Sequence, residues 1–239
     1  MKISKNHPRY VSLMTRHVLE HGVKIGITSL NGLVAHGRGE TFDYLLGEKT
    51  YEFAKQSIFE AASILLSAKH PVISVNGNTA ALAGKGLITL AKLLGCPLEV
   101  NIFHASKKRE QNIKKHLLKH GAKVVLLPDK KYKINGLLSN RRFVNGKGIF
   151  LADVVFVPLE DGDRTRALIE SGKKVITIDL NPLSRTAQAA TVTIVDNITR
   201  SMPLLITEVK RQKMHGKKQY NYNNDVVLKE AEKILRKGA

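Results

Sequence analysis

The sequence predicts an α/β protein built on a doubly wound, mainly parallel sheet, with a helical layer before it and a helix after it. Short runs rich in valine and isoleucine recur without polar alternation, the pattern of strands covered on both faces. Longer stretches with apolar residues at helical spacing separate them. Gly95, Gly121 and Gly172 stand where those stretches stop, at the place where helices commonly end in left-handed backbone.

Taken in order, residues 7–22 and 50–69 have helical spacing and flank a glycine-punctuated segment, residues 32–47, which reads as a loop. Residues 1–70 therefore form an N-terminal layer packed on the sheet. Strands are expected at 71–75, 98–102, 123–127, 153–158, 175–179 and 191–195, with helices at 79–94, 106–120, 164–171 and 197–210. Residues 71–210 are thus the sheet core. Thirteen lysines and arginines against two acids crowd residues 105–147, where Asn135–Gly136 and Asn145–Gly146 mark turns, so this stretch reads as a basic excursion between two halves of the sheet. From Gln212 the chain is hydrophilic until Asp225 opens a last amphipathic helix ending near Leu235. One domain is expected to span residues 1–239.

A hydrophobic content of 43% in 239 residues can fill a core of that size. Lysine and arginine outnumber acids 39 to 20, a formal net charge of +19, so the expected partner is an anion: a phosphate, a nucleotide or a nucleic acid. The single cysteine, Cys96, cannot form an internal disulfide, and no charged start precedes an apolar stretch, so the reducing cytosol is expected. No apolar run approaches the ~20 residues that cross a bilayer.

In parallel sheets, ligands bind where strand ends meet helix starts, because unpaired amides and the helix dipole attract anions there. Four such junctions are polar. In VITIDLNPLSRT (residues 175–186) a core strand runs into Asp179 and Asn181; Pro182 fits an early helical position, Ser184 and Thr186 offer hydroxyls, and Arg185 can form paired bonds to phosphate. An ordinary capped helix start explains the same letters. VNGNTAAL (75–82) places Gly77 in a tight turn, with Asn78 or Thr79 as cap, but it lacks the GxGxxG pattern, and the Gly84–Lys85–Gly86 triplet lacks the P-loop spacing. VPLEDGDRT (157–165) sets Glu160, Asp161 and Asp163 past a strand, where acids could hold Mg²⁺, an amine or a ribose, or where Asp163 could cap the next helix. VDNITR puts Asp196 and Asn197 at a strand end with Arg200 one turn on. Before the sheet, HGRGE (36–40) carries Arg38 on glycine-rich backbone able to approach a phosphate closely.

Other chemistries fit poorly. The His17/His21 and His116/His120 pairs lack a third ligand, so no zinc enzyme and no protein-held metal site is expected. Cys96 reads as packing. Nucleic-acid binding on the same scaffold competes on charge, yet the basic stretch offers only Tyr132 and Phe143 for base stacking and no recognition motif.

HPRYVSL, GLVAHGRGETFDYLLGEKT, HPVISVNGNTAAL, ADVVFVPLEDGDRT and IDLNPLSRTAQAATVTIVDNITR together resemble the archaeal phosphopantothenate synthetases, or 4-phosphopantoate–β-alanine ligases, in order from about His7 to Pro203. The basic stretch 128–147 is covered least. The resemblance implies a Rossmann-like homodimer in coenzyme A biosynthesis that joins 4-phosphopantoate to β-alanine using ATP, with release of AMP and diphosphate. It implies ATP-binding positions at Arg16, Arg38, Asp179, Leu180, Asn181, Arg185, Thr186, Asn197 and Ile198. A carboxylate is a poor electrophile, so an acyl-adenylate is the expected intermediate. Arg16, Arg38 and Arg185 would spread phosphate charge, and Mg²⁺ would bridge phosphate oxygens. Position alone offers Asn76, Gly77 and Asn78 for the phosphopantoate, His36 for proton transfer, and Asp161 or Asp163 for the β-alanine ammonium.

Overall fold

A computed structural model describes residues 3–216 and 221–237. Three helices come first: α1 (Tyr10–Lys24), α2 (Leu30–Leu45) and α3 (Glu52–Ser67). The sheet half that follows contains β1 (Pro71–Val75), α4 (Gly77–Leu94), β2 (Leu98–Val100), α5 (Lys107–Lys119) and β3 (Val125–Leu126). The excursion then forms β4 (Asp129–Lys133) and β5 (Phe143–Val144), joined through a short 3-10 turn at Asn140–Arg142. The second half contains β6 (Val154–Phe156), α6 (Gly162–Glu170), β7 (Lys174–Ile178), α7 (Arg185–Ala189), β8 (Val192–Ile194) and α8 (Ile198–His215), and α9 (Asn224–Lys237) closes the described chain. The hydrophilic tail expected after Gln212 falls partly outside the described residues.

Six strands pair in the order β3-β2-β1-β6-β7-β8, all parallel, and β4 and β5 form a separate antiparallel hairpin. The chain winds outward from β1 to β3, returns to the other side of β1, and winds outward again to β8. The switch point lies between β1 and β6, the Rossmann-like arrangement. Strand side chains alternate between two faces. Ile73, Val75, Leu98, Val100, Phe156 and Ile176 pack against α3, α4 and α8, whereas Val72, Val155 and Val175 pack against α6 and the excursion through Ala167, Leu168, Val144 and Ile149. Burying each large aliphatic side chain contributes about 1.5–3 kcal/mol, so a strand covered on both faces is held from two sides. Gly95, Gly121 and Gly172 all have positive φ, at 67°, 92° and 79°, as helix ends require.

Several local expectations are corrected. The glycine-punctuated segment 32–47 is not a loop but helix α2. A helical glycine costs ~1 kcal/mol relative to alanine, and tertiary contacts offset that here: Ser29 caps the start by accepting the Gly32 N–H, and Asp43, 4% exposed, is bound to residues far along the chain. Asn76, rather than Asn78 or Thr79, caps α4. Asp161, rather than Asp163, caps α6. Pro182 lies in the turn before α7, which Ser184 caps. β1 matches its expected bounds and β7 is shifted by one residue, whereas β2, β3, β6 and β8 are shorter than expected.

Candidate active site

After β7 the chain turns around Asp179. Its buried carboxylate accepts the Asn181 N–H at 2.9 Å and the Ser184 hydroxyl at 2.5 Å, while the Asn181 side chain accepts the Leu183 N–H at 2.9 Å. Burial pushes the Asp179 carboxyl up, against the pull of Ser184 and Asn181. Two nested side-chain turns thus fold this segment and aim α7. Leu180 sits beneath α2, where a Cβ added at Gly39 would lie 3.8 Å from its Cδ1. Arg185 is exposed and donates to Asp163 at 2.8 Å. The buried Thr186 donates its hydroxyl to the Glu160 carbonyl at 2.9 Å.

The β8 end is held by a second network. Asp196, pushed up by burial, accepts the Thr50 hydroxyl at 2.6 Å, the Asn197 N–H at 2.7 Å and the Arg200 Nε at 2.9 Å. Asn197 caps α8 by accepting from Thr199 and donates its amide to Asp43 of α2 at 2.7 Å. Arg200 bridges Asp43 and Asp196. Ile198 is buried in the main core.

At the β6 end Leu159 has φ of 55°, unusual for a leucine and a sign of local strain. Its N–H continues the ladder to the Ile178 carbonyl, and its carbonyl accepts the Asn76 amide at 2.9 Å. The turn delivers Glu160 into the interior, between Arg141 and Arg164. Burial pushes Glu160 up while the two guanidiniums pull it down. Asp161 caps α6 and accepts from Arg141 at 2.8 Å; burial would raise its carboxyl, but Arg141 and the Arg164 amide hold it below the usual range. Arg141, Arg164 and Asn101 are the site-edge residues that sequence reasoning missed. The first lies in the basic stretch and the second inside a helix, and neither carries a local pattern that marks it.

Of the remaining candidates, Asn76 is committed to its cap and to Leu159. Gly77 abuts Ile27 and Thr28 so closely that a Cβ would overlap backbone, and Asn78 bonds Thr28 and the Gly32 carbonyl at 2.8 Å. Arg16 pairs with Glu40 of α2 at 2.8 Å, and Glu40, although burial would raise it, is held low by Ser12 and Arg16. Arg38 is exposed on α2. His36, one turn before Glu40, has a buried Nε2 without a hydrogen-bond partner, and burial lowers its pKa.

Helix α2 ties two of the candidates in: Asp43 accepts from Asn197, and Glu40 holds Arg16, while Gly39 faces Leu180 across the space of one added Cβ. On the other flank, Gly162 backs against Arg185 and Thr186. Residues 159–163, 179–186 and 196–200 share the C-terminal edge of β6, β7 and β8, where the starts of α6 and α8 present amides and positive dipole ends suited to an anion. Most acids along this edge already hold an arginine, which favours a polyanion over a cation. Among the described residues no three His, Cys, Asp or Glu side chains form a group able to hold a metal ion, and no helix is long and apolar enough to cross a membrane.

Comparison with known proteins shows the family. The family model described as "Phosphopantothenate/pantothenate synthetase" matches residues 53–238. A protein of Methanosarcina mazei named 4-phosphopantoate--beta-alanine ligase is 48% identical over 236 residues, covering 96% of this chain and 92% of its own. Proteins of the same name from Thermococcus kodakarensis and Thermococcus onnurineus are 47% and 51% identical, covering 92% and 89% of this chain and 84% and 81% of their own. The chain belongs to the phosphopantothenate/pantothenate synthetase family.

Proposed function

We propose that this protein is an ATP-dependent ligase that condenses 4-phosphopantoate with β-alanine, forming 4′-phosphopantothenate for coenzyme A and releasing AMP and diphosphate. The observation that carries this reading is near-half identity, over nine-tenths of the chain, to a ligase of that name. The site edge supports it chemically. Amide formation from a carboxylate needs a better leaving group than oxide, and transfer of AMP to the phosphopantoate carboxylate supplies one. β-Alanine nitrogen then attacks the acyl carbon, and AMP departs.

The ATP positions are those on the shared edge. Arg38 and Arg185 are exposed cations that can reach phosphate oxygens, and Arg16 is held in place by Glu40. Asp179 and Asn181 shape the turn that receives the nucleoside, with Leu180 and Ile198 as apolar floor and Thr186 and Asn197 fixing the adjacent helix starts. His36, whose pKa burial lowers and whose buried Nε2 has no hydrogen-bond partner, is the group proposed to accept a proton from the attacking amine. Gly77 and Asn78, in the first turn of α4, would offer backbone N–H groups to the phosphopantoate, whereas Asn76 commits its side chain, N–H and carbonyl to the cap and holds the turn. Asp163, whose exposed carboxylate leans on Arg185, is a better partner than Asp161 for the β-alanine ammonium. Mg²⁺ enters on the triphosphate, as magnesium commonly does, with few protein ligands.

The proposed homodimer is supported by exposed Val11, Met14 and Val18 in one stripe of α1 and exposed Leu30 and Val34 on α2. The proposed compartment is the cytosol, in keeping with one free cysteine. Purified protein incubated with ATP, Mg²⁺, 4-phosphopantoate and β-alanine should yield 4′-phosphopantothenate and AMP by mass analysis. Release of ADP would replace the adenylate by an acyl phosphate, and absence of product would overturn the ligase assignment.

A further inference from the structure

The basic excursion is exposed along most of β4, yet one of its arginines is only 4% exposed. Two residues of β2 and its extension tie the excursion down from the sheet. Glu99 accepts the N–H groups of Asn145 at 2.9 Å and Ile149 at 2.7 Å, and the Asn101 amide donates to the carbonyls of Arg141 at 3.2 Å and Phe143 at 3.0 Å. Arg141 is thereby fixed over the C-terminal ends of the central strands. Its Nε donates to Asn101 Oδ1 at 3.1 Å, Nη2 to the Asn101 carbonyl at 3.3 Å and Glu160 Oε2 at 2.7 Å, and Nη1 to Asp161 Oδ2 at 2.8 Å. Asn101 extends β2, and Glu160 and Asp161 extend β6, with β1 between them. The guanidinium consequently spans the switch point, the place where doubly wound sheets commonly seat a ligand.

We infer that Arg141 is a positioning residue for nucleotide binding, an inference that rests on the ATP-ligase reading. Glu160 passes the constraint on through its carbonyl, which accepts the Thr186 hydroxyl, and the next turn carries Gly162, packed against Arg185. Arg141 thus sets the spacing between the start of α6 and the Arg185–Thr186 pair without touching ATP. Leu159, in left-handed backbone just before Glu160, makes the turn dependent on such a clamp, because a strained backbone persists only where its surroundings hold it. The excursion is then a strap that carries one side chain to the site, and its lysines are incidental to that role.

The test compares wild type, Arg141→Lys, and the double variant Arg141→Met/Glu160→Gln, which removes one charge of each sign and leaves Arg164 with the Ser74 hydroxyl and the nearby charge of Asp161 in place of its Glu160 pair. Thermal melts report folding, calorimetry reports ATP binding, and steady-state assays report KM for each substrate. The expected result is a folded double variant that binds ATP more weakly and whose kcat/KM for ATP falls about tenfold to a hundredfold, the scale of effect on rate from a ~1 Å misplacement, with KM for β-alanine little changed. Arg141→Lys, which keeps the charge but loses the fork, should fall between. A folded double variant with wild-type ATP affinity, an equal loss for all substrates, or failure of both variants to fold would overturn the positioning role. Wild-type protein that binds no ATP would instead overturn the nucleotide reading itself, and this inference with it.

Discussion

Replacing Gly162 by alanine tests how closely the starts of α6 and α7 must approach. An added Cβ would overlap Arg185 Cβ and stand 3.1 Å from the Arg185 carbonyl carbon and 3.2 Å from Thr186 N. Non-bonded carbons rest at about 3.5–4.0 Å, so the two helix starts must part by roughly 1 Å. The opposing atoms belong to backbone and Cβ, which cannot rotate away. Overpacking of this kind costs about 1–3 kcal/mol of stability, and a ~1 Å displacement in an active site can cost about 100-fold in rate, equivalent to about 2.7 kcal/mol at ~1.36 kcal/mol per tenfold. Kinetics of AMP release, with a thermal melt to confirm folding, should therefore show a drop of about two orders of magnitude in kcat/KM for ATP. Gly84→Ala is the control. Its Cβ would meet Leu117 and His116 at ordinary distances of 3.8 and 3.9 Å in the middle of α4, so it should stabilise the protein slightly. Near-normal turnover in a folded Gly162→Ala protein would refute the view that Arg185 and Thr186 act from a position set by that contact.

Other expectations follow from the same contacts. Arg38→Ala and Arg185→Ala, both at exposed positions, should lower synthesis by ~100-fold or more with an unchanged melting temperature; retained turnover in either would remove it from the phosphate-binding set. Burial pushes the Glu99 carboxyl from its ordinary 4.5 up to about 7, so its folded pKa exceeds its unfolded one. Its contribution to stability is then full below about pH 4.5 and is lost as pH rises through about 7, a change on the order of 3 kcal/mol at ~1.36 kcal/mol per unit. Melts of wild type and Glu99→Gln across that window should show the pH slope flatten in the variant, and an identical slope would sink the assignment. Arg200→Ala leaves Asp43 and Asp196 buried without their shared cation, which should cost about 3 kcal/mol, the lower end for a broken buried pair because Arg200 is partly exposed. A denaturant melt showing less than about 1 kcal/mol of loss would argue against that network.

The amino-acid order by itself determined the strands, the crossovers between them and the left-handed glycines at the ends of α4 and α5 and after α6. Each depends on periodicity or backbone freedom within a few neighbours. It also marked the polar turns after β7, where Asp179 bonds Asn181 and Ser184 within five residues, and after β8, where Asp196 bonds Asn197 and Arg200 within four. Only the tertiary structure decided that residues 30–45 are helical. Glycines lower local helix propensity, and the partners that outweigh it, Asn197 and Arg200, bind Asp43 across 154 and 157 residues of chain. It likewise decided that Glu99, in a strand that reads as apolar, is a buried anchor, and that Arg141 rather than any neighbouring lysine reaches the switch point. A lysine or arginine looks alike in a basic run whether solvent or a buried carboxylate receives it. What separates them is the side chain brought opposite by folding, here Glu160, two strands away in the sheet from Asn101.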